Sequence, residues 1–301
     1  MSSSNKKSAL ITGASSGIGR ASVARMIRVG WHVIATVRKS EDGESLRAQF
    51  GPAVTPLIMD VTDRASIVAA ARQLDTDGLD GLVNVAGIGM MAPIEYASLD
   101  DLQEIFKINV FGQLAVTQTF LPLIRKSRGR IVNISSVGAH IAIPFGSPIN
   151  ASKSAFGTFS DTLRLELRPF GIHVCTVEPG AIKTPAVEKT LGDVAAVIDK
   201  LPPAGAEQYG AMLKVFAKRA YEREMNGSSP EVVAEAVHHA LTVGQPRPRY
   251  RVGKHARILT TLPRILSDRL LDAIVLRITG LPEKFGVLRT SADRQDRKRA
   301  A

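Results

Sequence analysis

The segment Thr12-Gly13-Ala14-Ser15-Ser16-Gly17-Ile18-Gly19 constrains this chain more than any other. It follows a short apolar run, Ser8–Thr12, and opens a helical pattern from about Gly17 to Val29. Glycine lets the backbone turn tightly and approach another group closely. A helix starting there offers unpaired N–H groups and a partial positive charge, a natural seat for a phosphate. Such a turn can also be purely structural, so its meaning rests on the rest of the chain.

The rest alternates. His32–Val37, Pro56–Met59, Gly81–Val85, Arg130–Ile134 and His173–Val177 read as strands. Helical patterns lie between them at about Glu44–Phe50, Ala65–Leu74, Leu99–Arg125 and Ser152–Arg168. Strands separated by helices of this length imply right-handed crossovers and a parallel sheet covered on both faces. The expected fold is therefore α/β, a doubly wound Rossmann-type sheet. Ser98 and Asp101 form a capping pair at the start of the long helix. Residues 8–253 contain no linker and read as one nucleotide-binding domain. Within them, residues 185–229 are rich in proline and glycine and read as a helical cap on the open side of the sheet, with one piece at Ala211–Glu222. Pro230–Thr242 resumes a regular helix and Arg249–Val252 fits a last strand. Residues 254–291 read as an amphipathic helical extension; residues 1–7 and the basic segment 292–301 are expected to be disordered.

The 301 residues carry a net charge of +11. Residues 246–301 hold 14 Lys/Arg against 5 Asp/Glu, so the excess belongs to the C-terminal segment. The main domain gains no argument for nucleic-acid binding. Cys175 is the one cysteine and lies in an apolar strand pattern. It reads as an inert core thiol, and no disulfide within the chain is possible. The six histidines show no metal-ligand spacing, and His238 and His239 are adjacent on a helix, facing different ways. No metal site is expected. Met1–Lys7 lacks the apolar core of a signal peptide, and no apolar run approaches the roughly 18 residues of a spanning helix. A cytoplasmic protein is expected.

The second strand ends Ala35-Thr36-Val37-Arg38-Lys39. An NAD site usually places a carboxylate here for the ribose 2′-hydroxyl. Val37 occupies that position and Arg38 follows it, suited to paired, charge-assisted bonds with a 2′-phosphate. NADP(H) is the expected cofactor; a solvated Arg38-Lys39 loop is the other reading.

The spacing T-G-x-x-x-G-x-G resembles that of the short-chain dehydrogenase/reductase family, and matching segments continue in order from Ser8 to Thr184. The resemblance implies that Gly13, Ser15, Ser16, Gly17, Ile18 and Gly19 hold the pyrophosphate. Asp60 and Val61 would meet the adenine, although Asp60 could equally cap the helix after Thr62. Asn84-Val85-Ala86-Gly87 is similar to the family's N-N-A-G with the second asparagine replaced. Pro179, Gly180 and Thr184 match the segment that contacts the nicotinamide amide. Asn109, Ser136 and Lys153 match three of four catalytic positions, in which asparagine holds a water, serine bonds the substrate oxygen, and lysine holds the ribose and lowers the pKa of a tyrosine. The fourth position, four residues before Lys153, carries Ile149.

Isoleucine cannot transfer a proton, a step that typically contributes about 10²–10⁴-fold. Three readings stay open. The proton comes from elsewhere, through a water held by Lys153 and Asn109 or from Tyr209 in the cap. Catalysis is lost and the protein is an NADP(H)-binding sensor or assembly partner. Or Ile149 is a sporadic change in an active enzyme. The leading expectation is an NADP(H)-dependent oxidoreductase interconverting a carbonyl and an alcohol. The cap and Ala35-Thr36-Val37-Arg38 are similar to family members acting on steroids and retinoids, which implies a small lipophilic substrate. Ile88, Met90, Met91, Ile141, Ile143 and Phe145 fit an apolar pocket, or ordinary packing. The family also implies a homodimer or homotetramer through Leu99–Arg125 and Ser152–Arg168. In Ala256–Leu281 arginines interleave with apolar residues, interrupted by Pro263. That segment reads either as a peripheral membrane contact or as helices packing on the domain.

Overall fold

The computed structural model describes residues 6–282; the expected disordered tail, 292–301, and residues 1–5 lie outside this range. Seven parallel strands form one sheet: β1 (Ser8–Ile11), β2 (His32–Val37), β3 (Val54–Ile58), β4 (Gly81–Asn84), β5 (Arg130–Ile134), β6 (His173–Pro179) and β7 (Arg249–Val252). Their spatial order is β3-β2-β1-β4-β5-β6-β7. The order reverses between β1 and β4, which pair in the register Leu10↔Leu82. A ligand crevice opens at such a reversal, beyond the carboxyl ends of the strands. Lys7, ahead of β1, already accepts a hydrogen bond from the His32 amide.

Both faces of the sheet are covered, as the long apolar runs require. On one face α1 (Gly17–Arg28) packs beside α10 (Pro230–Thr242) over Ile11, Val83, Val132 and Val177. On the other, α3 (Arg64–Arg72), α5 (Gln113–Ser127) and α6 (Ser147–Leu167) cover Leu10, Leu82, Ile131 and Val174. Phe120, fully buried, centres that second layer. A third cluster joins Met91 and Phe145 to the cap helix α9 (Pro203–Met225) through Leu213 and Phe216.

Several boundaries differ from expectation. The long helix after Ser98 is three segments: α4 (Leu99–Phe106), a π-helical stretch Lys107–Gly112, and α5. The Ser98 hydroxyl does cap it, accepting from the Asp101 amide at 3.5 Å. α6 begins five residues before the expected Ser152. Pro148 sits in its first turn, where the missing N–H costs nothing, and so does not mark a break. The second crossover helix, α2 (Ser40–Phe50), also starts earlier than Glu44. The cap contains α7 (Pro185–Leu191), α8 (Val194–Asp199) and α9, the last far longer than the expected Ala211–Glu222. Pro263 does not interrupt its helix: α11 (Ala256–Ile265) runs past it, and the break falls at Leu266-Ser267 before α12 (Asp268–Thr279). A proline two residues from a helix end forfeits little of the hydrogen-bond ladder.

Replacing Phe120 by alanine should cost about 3–5 kcal/mol of stability without changing the fold, read as a lowered urea midpoint with an unchanged m-value.

Candidate functional site

The glycine turn is shaped by contacts that exclude any Cβ. Gly13 and Gly17 have φ of +61° and +53°, in the left-handed region. A Cβ at Gly19 would stand 2.1 Å from the Gly13 carbonyl oxygen. Ser16 precedes α1 without a side-chain cap, and the first turn carries no acid. The leading amides of α1 therefore remain available to an anion, and a pyrophosphate fits the cradle. The Thr12 hydroxyl accepts from the amides of Val85 and Ala86 at 2.9 and 3.0 Å, tying the end of β4 to this turn. Arg20 braces the turn from outside, donating to the Ser15 carbonyl and to Gln49 on α2. Thr184 closes over it, its Cβ 3.3 Å from where a Gly17 Cβ would be.

At the second strand, Arg38 and Lys39 are exposed. Neither side chain holds a hydrogen bond or ion pair among the described residues, so both are available to an added phosphate. Asp60 does not cap α3; Asp63 does, accepting from Ala65 at 2.8 Å. Asp60 instead accepts from the Thr62 amide and hydroxyl, both at 2.8 Å. Burial pushes the Asp60 carboxyl up, but those bonds and the charges of Arg38 and Lys107 outweigh it and hold the group below the usual carboxylate range.

The remaining candidates converge beyond the ends of β4, β5 and β6. Asn109 lies in the π-helical stretch. Its carbonyl oxygen accepts from the Ile88 amide at 2.9 Å, and its amide donates to the Ile88 carbonyl and to Ser152 at 3.0 and 3.1 Å. It thus clamps the loop after β4 onto α6. A Cβ on Gly87 would stand 3.1 Å from Asn109 and 3.6 Å from the Lys153 ammonium, so three candidates meet within one small volume. Lys153 is buried and donates to the Ile134 carbonyl at 2.8 Å. Burial lowers its pKa to about 8. The Ser136 hydroxyl accepts from the Gly138 amide at 3.0 Å and donates to nothing among the described residues, which leaves its proton free for an incoming oxygen. Ile149 stands half-buried in the first turn of α6, one turn before Lys153, and its carbonyl accepts from Ser152. Asn84 supports the sheet beneath, donating to Thr117 and Asn133 at 3.0 and 2.8 Å. Gly180 fits a gap that no side chain could enter, since its Cβ would meet the Lys254 carbonyl at 2.2 Å.

Tyr209 is elsewhere engaged. Its hydroxyl donates to Glu95 at 2.7 Å, and its ring packs edge-on against Tyr96 and Phe145. The bond to Glu95, then burial, raises its pKa. Of the apolar candidates, Met91, Ile141 and Phe145 are buried, while Ile88 is exposed. Three contributors were not singled out from sequence. Gln113 donates to the Ala86 carbonyl at 2.7 Å. Ser152 links Asn109 to the Ile149 carbonyl. Asn150 would lie 2.6 Å from a Gly138 Cβ, beside Ser136. Their residue types are common in loops and helix starts, and only the three-dimensional arrangement distinguishes them. Cys175 is buried and its thiol is pushed up to about 11 by burial, consistent with an inert core residue. Among the described residues no group of three His, Cys, Asp or Glu could hold a metal.

A doubly wound sheet, a glycine cradle at the first turn and a buried lysine meeting an asparagine at Gly87 define a nucleotide-binding protein of the dehydrogenase class. Residues 7–194 match the short chain dehydrogenase family, and the chain belongs to that family of oxidoreductases. It is 34% identical to retinol dehydrogenase 5 of Mus musculus, covering 90% of this chain and 88% of that one. It is 35% identical to 17-beta-hydroxysteroid dehydrogenase type 6 of Rattus norvegicus, covering 88% and 87%. A solved serine dehydrogenase, in its closed form with NADP+, superposes with a TM-score of 0.70 at 27% identity, over 82% of this chain and 94% of that one.

The lowered Lys153 pKa has a consequence in the absence of nucleotide. Between about 8 and the ordinary 10.5 the unfolded chain binds a proton that the folded chain does not. Stability therefore rises with pH through that window. Thermal unfolding at a series of pH values should show this rise, and Lys153→Met should remove its share of it.

Proposed function

We propose that the protein is an NADP(H)-dependent oxidoreductase that interconverts a carbonyl and an alcohol on a small lipophilic substrate, with the proton supplied by way of Lys153. The observation that carries this is the meeting of Lys153 and Asn109 at Gly87, together with an uncommitted Ser136 hydroxyl proton just past β5 and Ile149 where the family places tyrosine. Bound, the nicotinamide supplies or accepts the hydride. In reduction, the Ser136 hydroxyl donates a hydrogen bond to the substrate oxygen and favours its developing negative charge. The Lys153 ammonium, near 8 rather than 10.5, is acidic enough to release a proton near neutral pH, through a water to that oxygen. Tyr209 is the poorer donor, because its proton is committed to Glu95.

Arg38, exposed and free of hydrogen bonds, supports NADP(H) over NAD(H). The similarity to retinol and steroid dehydrogenases supports a lipophilic alcohol or ketone. The apolar cluster of Met91, Ile143 and Phe145 beneath the cap suits such a molecule. Exposed Leu99, Phe111, Phe159 and Leu165 on α4, the π-helical stretch and α6 support a homodimer or homotetramer through those helices. A groove of about 720 Å³ between Leu99 and Phe111 is part of that face. In the C-terminal pair, Val275 and Thr279 are buried and α12 packs on α9, while Ile258, Ile265, Leu270 and Ile278 stay exposed. Arg257, Arg264, Arg269 and Arg277 interleave with them, so we read the outer side of α11 and α12 as a peripheral membrane contact. No described helix is long and apolar enough to cross a membrane. The second reading, an NADP(H)-binding protein with impaired turnover and a sensing or assembly role, is favoured only by Ile149.

NADPH consumption with a shared panel of lipophilic ketones and aldehydes decides between them. The natural protein should turn over, and Ile149→Tyr should raise its rate by about 10²-fold or less. Turnover by the variant alone would leave binding as the protein's role. Arg38→Ala should weaken NADPH about tenfold and leave NADH unchanged; equal effects on both would refute the NADP(H) assignment. Phe111→Glu should convert the oligomer to monomer in sedimentation.

A further inference from the structure

One cleft outside the catalytic region has no role in the chemistry above. It holds about 350 Å³ between the C-terminal end of α9, the segment after β7 and the end of α12. Its lining is Arg219, Glu222, Arg223, Asn226, Lys254 and Ile278. Three cations thus face one carboxylate. None of the three is well paired. Arg219 reaches the Arg277 carbonyl only at 3.5 Å, and Lys254 the Asn226 carbonyl at 3.4 Å. Among the described residues Arg223 meets its neighbour Glu224, through two nitrogens each at 3.4 Å, and that carboxylate also accepts from the Ile182 amide. Normal N–H···O bonds are nearer 2.9 Å. The Arg219 guanidinium lies against Gly280, which ends α12 with φ of +76° and leaves the space that a Cβ would fill.

The fourth wall is apolar. Ile278 is 47% exposed and ends a stripe of Leu270, Ile274 and Ile278, spaced i, i+4 and i+8 on one face of α12. The opposite side of α12 is the one buried against α9. A ligand in the cleft therefore meets concentrated positive charge and, without a gap, the exposed apolar stripe. A small soluble anion would use the first and leave the second in water. We propose that this cleft binds the phosphorylated headgroup of an anionic phospholipid, with the acyl chains lying along Leu270 and Ile278. The volume falls within the roughly 300–1,000 Å³ of small-ligand sites. Bound there, the lipid bridges the cap helix α9 to α12 and sets the cap, with its buried cluster of Met91, Phe145, Leu213 and Phe216, beside the bilayer, the reservoir of a lipophilic substrate. The inference rests on the reading of α11 and α12 as membrane-facing.

Vesicle co-sedimentation of the intact protein tests it. Three proteins are compared on phosphatidylcholine vesicles with and without phosphatidic acid. They are the natural chain, the cleft variant Arg219→Gln/Arg223→Gln/Lys254→Gln, and a charge-matched control, Arg28→Gln/Arg47→Gln/Arg72→Gln. Unchanged NADPH binding verifies that each is folded. The natural chain should bind acidic vesicles about tenfold or more tightly than neutral ones, because each basic residue near an anionic surface contributes to attraction. The cleft variant should lose that selectivity, and the control should lose about twofold at most. Equal losses would mean diffuse attraction and overturn the site. Residual binding to neutral vesicles that Leu270→Ser/Ile278→Ser abolishes would preserve the membrane reading even then; absence of all vesicle binding would overturn both. If inorganic phosphate stabilises the natural chain but not the cleft variant, while vesicle binding is equal for the two, the cleft takes a free anion and the lipid assignment fails.

Discussion

The close approach of Gly19 to the Gly13 carbonyl sets the geometry on which the rest of the molecule is arranged. With 2.1 Å between that oxygen and a would-be Cβ, α1 can start directly beneath the first strand only if residue 19 is glycine. That start leaves uncapped amides pointing into the crevice where the strand order reverses. Thr12 then fixes the end of β4 to the same turn through two amides. The loop leaving β4 is in turn held by Asn109 and Gln113. A single backbone contact is thereby transmitted, through short polar bonds, to the place where Lys153 lies.

Lys153 carries the chemical tension of the site. It is buried and hydrogen-bonded to a neutral carbonyl, with no carboxylate paired to it among the described residues, so its charge is disfavoured. In a site with a phenol one turn away, such a lysine serves mainly as an electrostatic aid. With Ile149 there, Lys153 is the titratable group beside Asn109 at Gly87, and on the function proposed above the burial that destabilises its charge is what makes its proton transferable.

Most of the architecture was legible because it is written locally. Strand runs, the glycine turn and the Ser98 cap depend on residues close in sequence. The failures have local causes too. Pro263 reads as a breaker in sequence, yet it lies near the last turn of its helix, where a lost hydrogen bond is cheap, and Pro148 lies in the first turn of a helix that the pattern starts only at Ser152. Asp60 and Asp63 are both placed to cap α3, and only backbone direction decides for Asp63. The π-helical stretch around Asn109 leaves no periodic signature, since its six residues are too few to display a period of their own. The candidate positions themselves came from motif spacing. What spacing could not give was Ser136 with an uncommitted proton, Tyr209 committed to Glu95, or the division of α12 into a packed side and an exposed one.

The most direct test of this account is a single turnover. Deuterated NADPH bound to the natural protein in excess over a lipophilic ketone would be followed from pH 6 to 9.5, monitoring label in the alcohol. The account predicts hydride transfer that is measurable near neutrality and declines above about 8, as Lys153 loses its proton. Saturated cofactor with no label transferred at any pH, or a rate indifferent to pH across that range, would contradict it.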